Sequence, residues 1–401
     1  MKLKNNKVIT RFPPSPTGAL HIGNVRTALF NYLYAKQNGG EFIVRVEDTD
    51  KARSKKEYEE SMLEGLEWLS IEREGDLQHQ SERGEVYKKY LDKLIEDGEA
   101  YVSEESEGEN REVVRFKNPN KIVEFEDLVR GKVSFDTAEL KDFIIARNVD
   151  EPIYHLAVVV DDFESGVTHV IRGEDHISNT PRQILIQEAI GAPRPVYAHL
   201  PLILAPDRSK LSKRKHGETV SLDYYRNKGY LPQAVVNYLA LLGWNPGTEQ
   251  EIFTIEELIN VFDLSQVQKG GAIFDEKKLD WVNKEHIKLL PEKEQQAIRE
   301  REVVEEPYIK NEPVLDKSKI NWKNISDEET IKHLKKAVEI IKDEKDLMTY
   351  ATEVGKGSVL WPVRYALSGE ERSPDPFTLI SVLGKEKSIE RLKKAITILE
   401  K

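Results

Sequence analysis

The chain contains no cysteine. Disulfides, a thiolate nucleophile and any zinc site built on sulfur ligands are therefore excluded. Histidine is sparse, with nine scattered residues, so no all-histidine structural metal site is expected either. No apolar run approaches the length that spans a bilayer. The first residues, Met-Lys-Leu-Lys-Asn-Asn-Lys, pass into a strand without the apolar core of a signal peptide, and a cytoplasmic location is expected. An excess of positive charge is lacking as well: 60 Lys and Arg stand against 71 Asp and Glu, a net charge of −11. That balance argues against nonspecific polyanion binding, while a specific nucleic-acid site needs only a local basic surface.

What is present is a globular composition, 39% apolar and 33% charged, over 401 residues, enough for two to four domains. The first hundred residues alternate strand and helix. A strand over 7–11 precedes a helix over about 22–37 that Asn38-Gly39-Gly40 terminates. A strand over 41–47 follows, then a helix from Ser54 to about Leu69, with Ser54 and Glu57 at capping-box spacing. This order predicts a parallel sheet with helices on both faces. The alternation breaks at Asp97-Gly98, and residues 99–153, with a charged loop at 103–112, read as an insertion of short strands and turns. Strands are then predicted over 154–160 and 167–172, a helix over about 179–190, and a further strand near 197–203. Beyond about 217 the pattern is helical, over 222–227, 232–242, 255–261 and 277–283. Residues 291–325 read as linker and irregular structure, followed by helices over 327–343, 345–354 and 385–400.

Two distant motifs carry chemistry. Pro13-Pro-Ser-Pro-Thr-Gly-Ala-Leu-His-Ile-Gly-Asn24 joins a strand to a helix N-terminus, the geometry that offers backbone N–H groups and a positive dipole end to a phosphate. His21 at the helix start can donate to phosphate oxygens, and Gly23 allows close approach to the backbone; the rival reading is an ordinary helix start with an N-cap histidine. Lys210-Leu-Ser-Lys-Arg214 is a cationic loop able to fold over the same phosphates, or else a solvated basic run.

Together these strings resemble the "HIGH" and "KMSKS" signatures of class I aminoacyl-tRNA synthetases. The longer string Arg11-Phe-Pro-Pro-Ser-Pro-Thr-Gly-Ala-Leu-His-Ile-Gly23 narrows the resemblance to the glutamyl-tRNA synthetase family, although the first motif here ends in Asn24, not His. The resemblance is dense over 8–101 and 143–290 and resumes over 320–395, where Trp361-Pro-Val-Arg364 is similar to the family's helical anticodon-binding domain.

The resemblance implies an α/β fold: a split Rossmann-like catalytic domain at 1–98 and 154–216, with an inserted acceptor-binding domain at 99–153. A helical stem-contact domain at 217–290 and a shortened helical anticodon-binding region at 291–401 would follow. It implies an enzyme that activates L-glutamate with ATP to the adenylate and transfers the acyl group to tRNA(Glu), with tRNA(Gln) an open second acceptor. Mg²⁺ would accompany ATP, no zinc is expected, and a monomer is implied. His21 and Lys213 would be catalytic. His21, Gly23, Asn24, Asp175, Lys210, Lys213 and Arg214 would bind ATP. Arg11, Ser15, Glu47, Tyr154 and Arg172 would hold glutamate, whose two carboxylates and ammonium call for guanidinium and carboxylate partners. Structural alternatives stand beside these: an acidic capping turn for Glu47 and Asp48, and an Arg172–Asp175 ion pair. Ser81-Glu82-Arg83 reads as structural, and the helix after Asn179 as bordering the tRNA acceptor end or as merely capped.

One departure concerns the glutamate pocket. Family members carry an Asn four positions after the pocket tyrosine, or immediately after it; here those positions hold Val158 and His155. His155 could donate a hydrogen bond in its place. Two rival functions remain at this point, a truncated paralogue that glutamylates a modified tRNA nucleoside and a non-catalytic tRNA-binding protein.

Overall fold

The computed structural model describes residues 7–50, 52–105, 112–304 and 306–401. Most of the charged loop read at 103–112 lies outside them. The chain divides into two compact units, Met1–His286 and Ile287–Lys401.

In the first unit, strand β1 (Ile9–Phe12) leads into α1 (Ile22–Gln37), and β2 (Glu41–Val46) returns parallel to β1 with Ile9 opposite Glu41. Helix α1 is buried nearly all round, from Ile22 to Ala35, because it lies between the sheet and later helices. It stops at Asn38, whose N–H bonds back to carbonyls of the last turn. Gly40 is required there: a Cβ would stand 2.1 Å from the Val8 carbonyl oxygen. Helix α2 (Lys56–Trp68) follows, then the short parallel strand β3 (Gln78–His79) and α3 (Gly84–Glu96). The expected Ser54–Glu57 capping box does not form. The chain enters α2 one residue later than the box requires, at Lys55, whose N–H is taken by Pro16 O at 2.9 Å.

Residues 99–153 supply β4 (Ala100–Glu104), β5 (Glu112–Phe116), β6 (Ile122–Asp127), β7 (Gly131–Asp136) and β8 (Phe143–Ala146). β4, β5 and β8 make an antiparallel sheet of their own. The β6–β7 hairpin instead extends the sheet of β9 (His169–Gly173) and β10 (Val196–Leu200), pairing Asp127 with Tyr197. β9 and β10 are parallel, joined by α5 (Thr180–Ile190). Thr168, just before β9, bonds Ile9 through its N–H and its hydroxyl, which sets β9 beside β1. The result is the split Rossmann-like α/β arrangement that the family resemblance implies, with the parallel pairing expected from the strand–helix alternation.

Residues 154–160, predicted as a strand, are helical: α4 runs Tyr154–Glu164. A short apolar run buried on every side carries no periodicity that separates helix from strand, and three consecutive valines bias the local reading toward strand. Tertiary pairing overrides that bias. Helical spacing sets Asp161 and Asp162, seven and eight residues on, on the same face as Tyr154, where both carboxylates meet buried arginines.

After β11 (Ile203–Leu204) come α6 (Lys213–His216), α7 (Leu222–Asn227), α8 (Pro232–Leu241), α9 (Ile255–Val261), β12 (Ala272–Ile273) and α10 (Glu276–Leu289). Helices α8 and α9 pack on α1, so Phe30, Phe262, Trp244 and Leu239 share one core with the sheet.

The second unit is all helical. The stretch read as linker and irregular is largely helix: α11 (Glu292–Val304), α12 (Pro307–Lys310) and α13 (Lys317–Ile320). α11 is mostly Glu, Lys, Gln, Ala and Arg, strong helix formers with acids in the first turn, but it buries little and so shows no apolar stripe. α14 (Asp327–Lys342), α15 (Leu347–Val354) and α18 (Lys385–Glu400) stand where expected. α16 (Lys356–Ser368) and α17 (Pro376–Leu383) were not predicted. Gly357 and Pro362 break the helical reading of the first, although Pro362 sits within the helix. Trp361 donates its indole N–H to Lys319 O at 3.0 Å and lies 5.3 Å from the Trp322 ring, and the buried Arg391 guanidinium caps the carbonyls of Tyr308 and Asn311.

Candidate active site

The site forms where the C-terminal ends of β1, β2 and β9 meet the start of α1, the crevice at which parallel sheets bind ligands. His21 is the N-cap of α1. Its Nδ1 accepts the N–H groups of Gly23 and Asn24 at 3.1 and 3.3 Å. An accepting Nδ1 places the ring proton on Nε2, so capping and phosphate donation are two faces of one imidazole. Burial and then the Lys210 charge lower its pKa, against the opposing field of Asp175, which favours that neutral donor form. Gly23 has a reason besides ligand approach: a Cβ there would sit 3.0 Å from His21 Cε1.

The cationic loop arrives at the same place. Ala205 and Ser209, and Ile203 and Leu211, are bonded across it, and Lys210 reaches Asp175 at 3.0 Å. Beyond the loop Ser221 bridges to His21, and Leu222 N–H bonds Leu20 O. Lys213 and Arg214 lie between those two anchors, exposed, with Lys213 3.2 Å from Glu218. The two motifs therefore meet on one face. Asp175 belongs to the loop lysine, so the alternative Arg172–Asp175 ion pair is absent.

Below the helix start lies a buried charge network. Arg11 donates Nε to Asp162 at 3.2 Å, and its Nη1 has no partner among the described residues. Arg45, fully buried, binds Asp162 at 2.8 Å and Glu47 at 3.3 Å and faces Asp161 at 3.4 Å. Burial works against the Arg45 charge, but Asp162, Glu47 and Asp161 outweigh it and hold its pKa above the usual arginine value. Burial pushes the Glu47 carboxyl upward, with Arg45 and Arg11 opposing. Asp48 instead accepts Ser81 N–H and hydroxyl at 2.8 and 2.5 Å, so of the acidic pair it is Asp48 that caps a turn. Arg83 of the Ser-Glu-Arg turn makes no side-chain cap on α3 and instead holds Asp161 at 2.7 Å.

Arg172 is buried and bonded only to neutral groups, His199 Nε2 at 3.2 Å and Thr180 Oγ1 at 2.8 Å. No carboxylate among the described residues lies at ion-pair distance, and burial lowers its pKa. Tyr154 OH meets His176 Nδ1 at 3.1 Å, and burial and then Glu47 raise its pKa. Ser15 is exposed, its carbonyl taking the N–H of Thr17. Val158 is walled into the apolar core, and His155 Nδ1 is buried without a hydrogen-bond partner among the described residues.

A family model described as tRNA synthetases class I (E and Q), catalytic domain, matches residues 7–112 and 102–281, and one described as an anticodon binding domain matches 285–396. The glutamate–tRNA ligase of Aquifex aeolicus (strain VF5) is 41% identical over 478 aligned positions, covering 99% of both chains. The chain belongs to the glutamate–tRNA ligase family. That of Thermodesulfovibrio yellowstonii is 39% identical over 97% of this chain and 99% of its own. Among solved structures, a glutamate tRNA ligase from Elizabethkingia meningosepticum CCUG26117 in complex with its amino acid superposes with a TM-score of 0.78 at 31% identity, covering 98% and 99%. The alignment with the Aquifex ligase is longer than the 401-residue chain, so that ligase carries segments without a counterpart here.

For this ligase the sequence reading missed Arg45, Asp161 and Asp162. Their neighbours in the chain say nothing of each other, because more than a hundred residues separate the partners. The arginine within a β-strand and the Asp pair ending a valine run were the available signals, buried charge where apolar residues are the rule.

Burial, with nearby cationic charge, holds His155 and His176 down to about 4 from the ordinary 6.5. Between those values the unfolded chain binds more protons than the folded one, so stability is full above pH 6.5 and is lost as pH falls toward 4. The urea midpoint should drop from pH 7 to pH 5, and His155→Asn/His176→Asn should flatten that drop.

Proposed function

We propose that this site forms glutamyl-adenylate from L-glutamate and ATP and transfers the glutamyl group to the 3′ end of tRNA(Glu). The observation that carries the reading is buried cationic capacity left open: among the described residues Arg172 has no carboxylate at ion-pair distance, and Arg11, paired with Asp162 through Nε, leaves Nη1 without a partner beside Tyr154 and Glu47. A substrate with two carboxylates and one ammonium completes that set, with Glu47 taking the ammonium and Ser15 at the rim.

Activation is in-line attack of the α-carboxylate on the α-phosphorus, so catalysis is positioning and charge stabilisation. His21 Nε2–H and the α1 N-terminus at Gly23 and Asn24 meet the phosphates, and Lys213, with Lys210 and Arg214, follows the charge moving onto pyrophosphate. Asp175 orients Lys210 beside the nucleotide. Mg²⁺ enters as part of the ATP complex.

We assign the catalytic domain to 1–98 and 154–216, the acceptor-binding insertion to 99–153, stem contacts to 217–290 and anticodon binding to 291–401. The enzyme acts in the cytoplasm as a monomer, and tRNA(Gln) is a second acceptor to be tested. No helix among the described residues is long and apolar enough to cross a membrane. The family match at 285–396 disfavours the truncated-paralogue reading.

Glutamate-dependent ATP–pyrophosphate exchange tests this. Exchange is expected with tRNA(Glu) present and absent without it; exchange that ignores glutamate in both conditions overturns the reading.

A further inference from the structure

Arg172 is held on one side by a chain of groups that the substrate reading leaves unused. His199, on β10, is completely buried and lies between Arg172 and Asp127, the last residue of β6. Asp127 Oδ2 is 2.6 Å from His199 Nδ1, and His199 Nε2 is 3.2 Å from Arg172 Nε and 3.1 Å from Thr180 Oγ1. Arg172 Nη2 donates to the same Thr180 hydroxyl at 2.8 Å.

The donors and acceptors fix the protons. A guanidinium Nε can only donate, so His199 Nε2 must be bare and accept. The ring proton then lies on Nδ1 and is given to Asp127. That tautomer is set in turn by the other carboxylate oxygen: Asp127 Oδ1 accepts the backbone N–H groups of Val129 and Arg130 at 3.0 and 2.8 Å, which holds the carboxylate plane. His199 N–H also bonds the carboxylate, at 3.1 Å to Oδ2. Asp127, His199 and Arg172 are all buried, and the two bonds that join them each have one allowed direction.

We infer that Asp127 and His199 are positioning residues for the glutamate site, locking the plane of the Arg172 guanidinium so that its remaining N–H groups face a substrate carboxylate. The inference rests on the reading that Arg172 holds glutamate. It also gives β6, which lies in the stretch between the two halves of the sheet, a direct hold on the amino-acid pocket. A ligand-holding group is commonly oriented by a buried partner behind it, and small misplacement of such a group is costly.

Asp127→Asn is the sharp test. The amide oxygen must stay on the backbone N–H groups of Val129 and Arg130, so the NH₂ turns toward His199 Nδ1. The imidazole then moves its proton to Nε2, where it confronts the Arg172 Nε–H. This is the logic by which an aspartate-to-asparagine change leaves a catalytic histidine in the wrong tautomer. In aminoacylation with MgATP and tRNA(Glu), the glutamate KM should rise roughly 10- to 100-fold while the ATP KM stays within about twofold.

His199→Leu should behave the same way. His199→Gln should restore the glutamate KM to within about threefold of the parent, because its carbonyl can accept from Arg172 while its amide donates to Asp127. The leucine–glutamine contrast decides the matter even if Asp127→Asn does not fold. Equal rises in both KM values, or equal behaviour of the leucine and glutamine variants, overturns the inference. Arg172→Ala separates this from the underlying reading. If Arg172→Ala leaves the glutamate KM unchanged, Arg172 does not hold glutamate and both fall. If it raises that KM while Asp127→Asn and His199→Leu do not, only the relay falls.

Discussion

Lys213→Ala should slow glutamate-dependent pyrophosphate exchange by about 100- to 1000-fold, the size expected for removing one preorganised charge from a developing anion. The reason lies in how the loop is held. Lys210 is spent on Asp175 and Lys215 on Asp207, at 3.0 and 2.7 Å. Among the described residues Lys213 pairs only with Glu218, at 3.2 Å, and both side chains are more than half exposed, so that pair contributes little and would readily yield its ammonium to pyrophosphate. Because the loop is anchored on either side of Lys213, the alanine variant should keep its melting temperature and its affinity for tRNA(Glu). Filter binding of tRNA alongside the exchange assay checks this. A variant that exchanges normally, or that loses tRNA binding in proportion to exchange, would show that Lys213 does not act on the phosphates.

Asp161→Ala should be the most destabilising single change near the site. Its carboxylate is wholly buried and receives Arg83 Nε at 2.7 Å, Tyr87 OH at 2.8 Å and Gln80 Nε2 at 2.8 Å, with Arg45 Nε 3.4 Å away. Removing one partner of a buried ion pair costs about 3–5 kcal/mol, since the remaining charge stays out of water without compensation. For a unit of this size that corresponds to a fall in melting temperature on the order of 10 °C. Differential scanning calorimetry checks it; a fall within about 2 °C would mean that Asp162 and Glu47 alone suffice to neutralise Arg45. Asp161→Asn should be milder, because the amide still accepts from Tyr87.

The reading of the sequence succeeded where the signal was local. His21 as the head of α1, the stop at Asn38-Gly39-Gly40, and the helices at 222–227 and 255–261 all depend on residues within a few positions of one another. It failed where burial came from all sides or from none. Helix α4 was taken for a strand because Val158, Val159 and Val160 are enclosed on every face, and α11 was taken for linker because its polar residues show no apolar stripe. At the site, residue types were legible and pairings were not. Arg172 was named as a glutamate-holding group, with an Asp175 ion pair as the rival; its neighbours, His199 and Thr180, were not foreseen. Val158, offered as a pocket position, is core.

The sequence by itself determined the family, the positions of the two signature motifs and the absence of thiolate chemistry, because these depend on which residues are present and how they are spaced. Only the tertiary structure decided which charges face each other. Arg45 meets Asp161 and Asp162, and Asp127 meets His199, across chain separations over which no periodicity or spacing carries information. Those contacts are set by parallel strands and one buried helix that bring side chains distant in the chain together, where low dielectric strengthens each pairing and makes an unpaired charge costly.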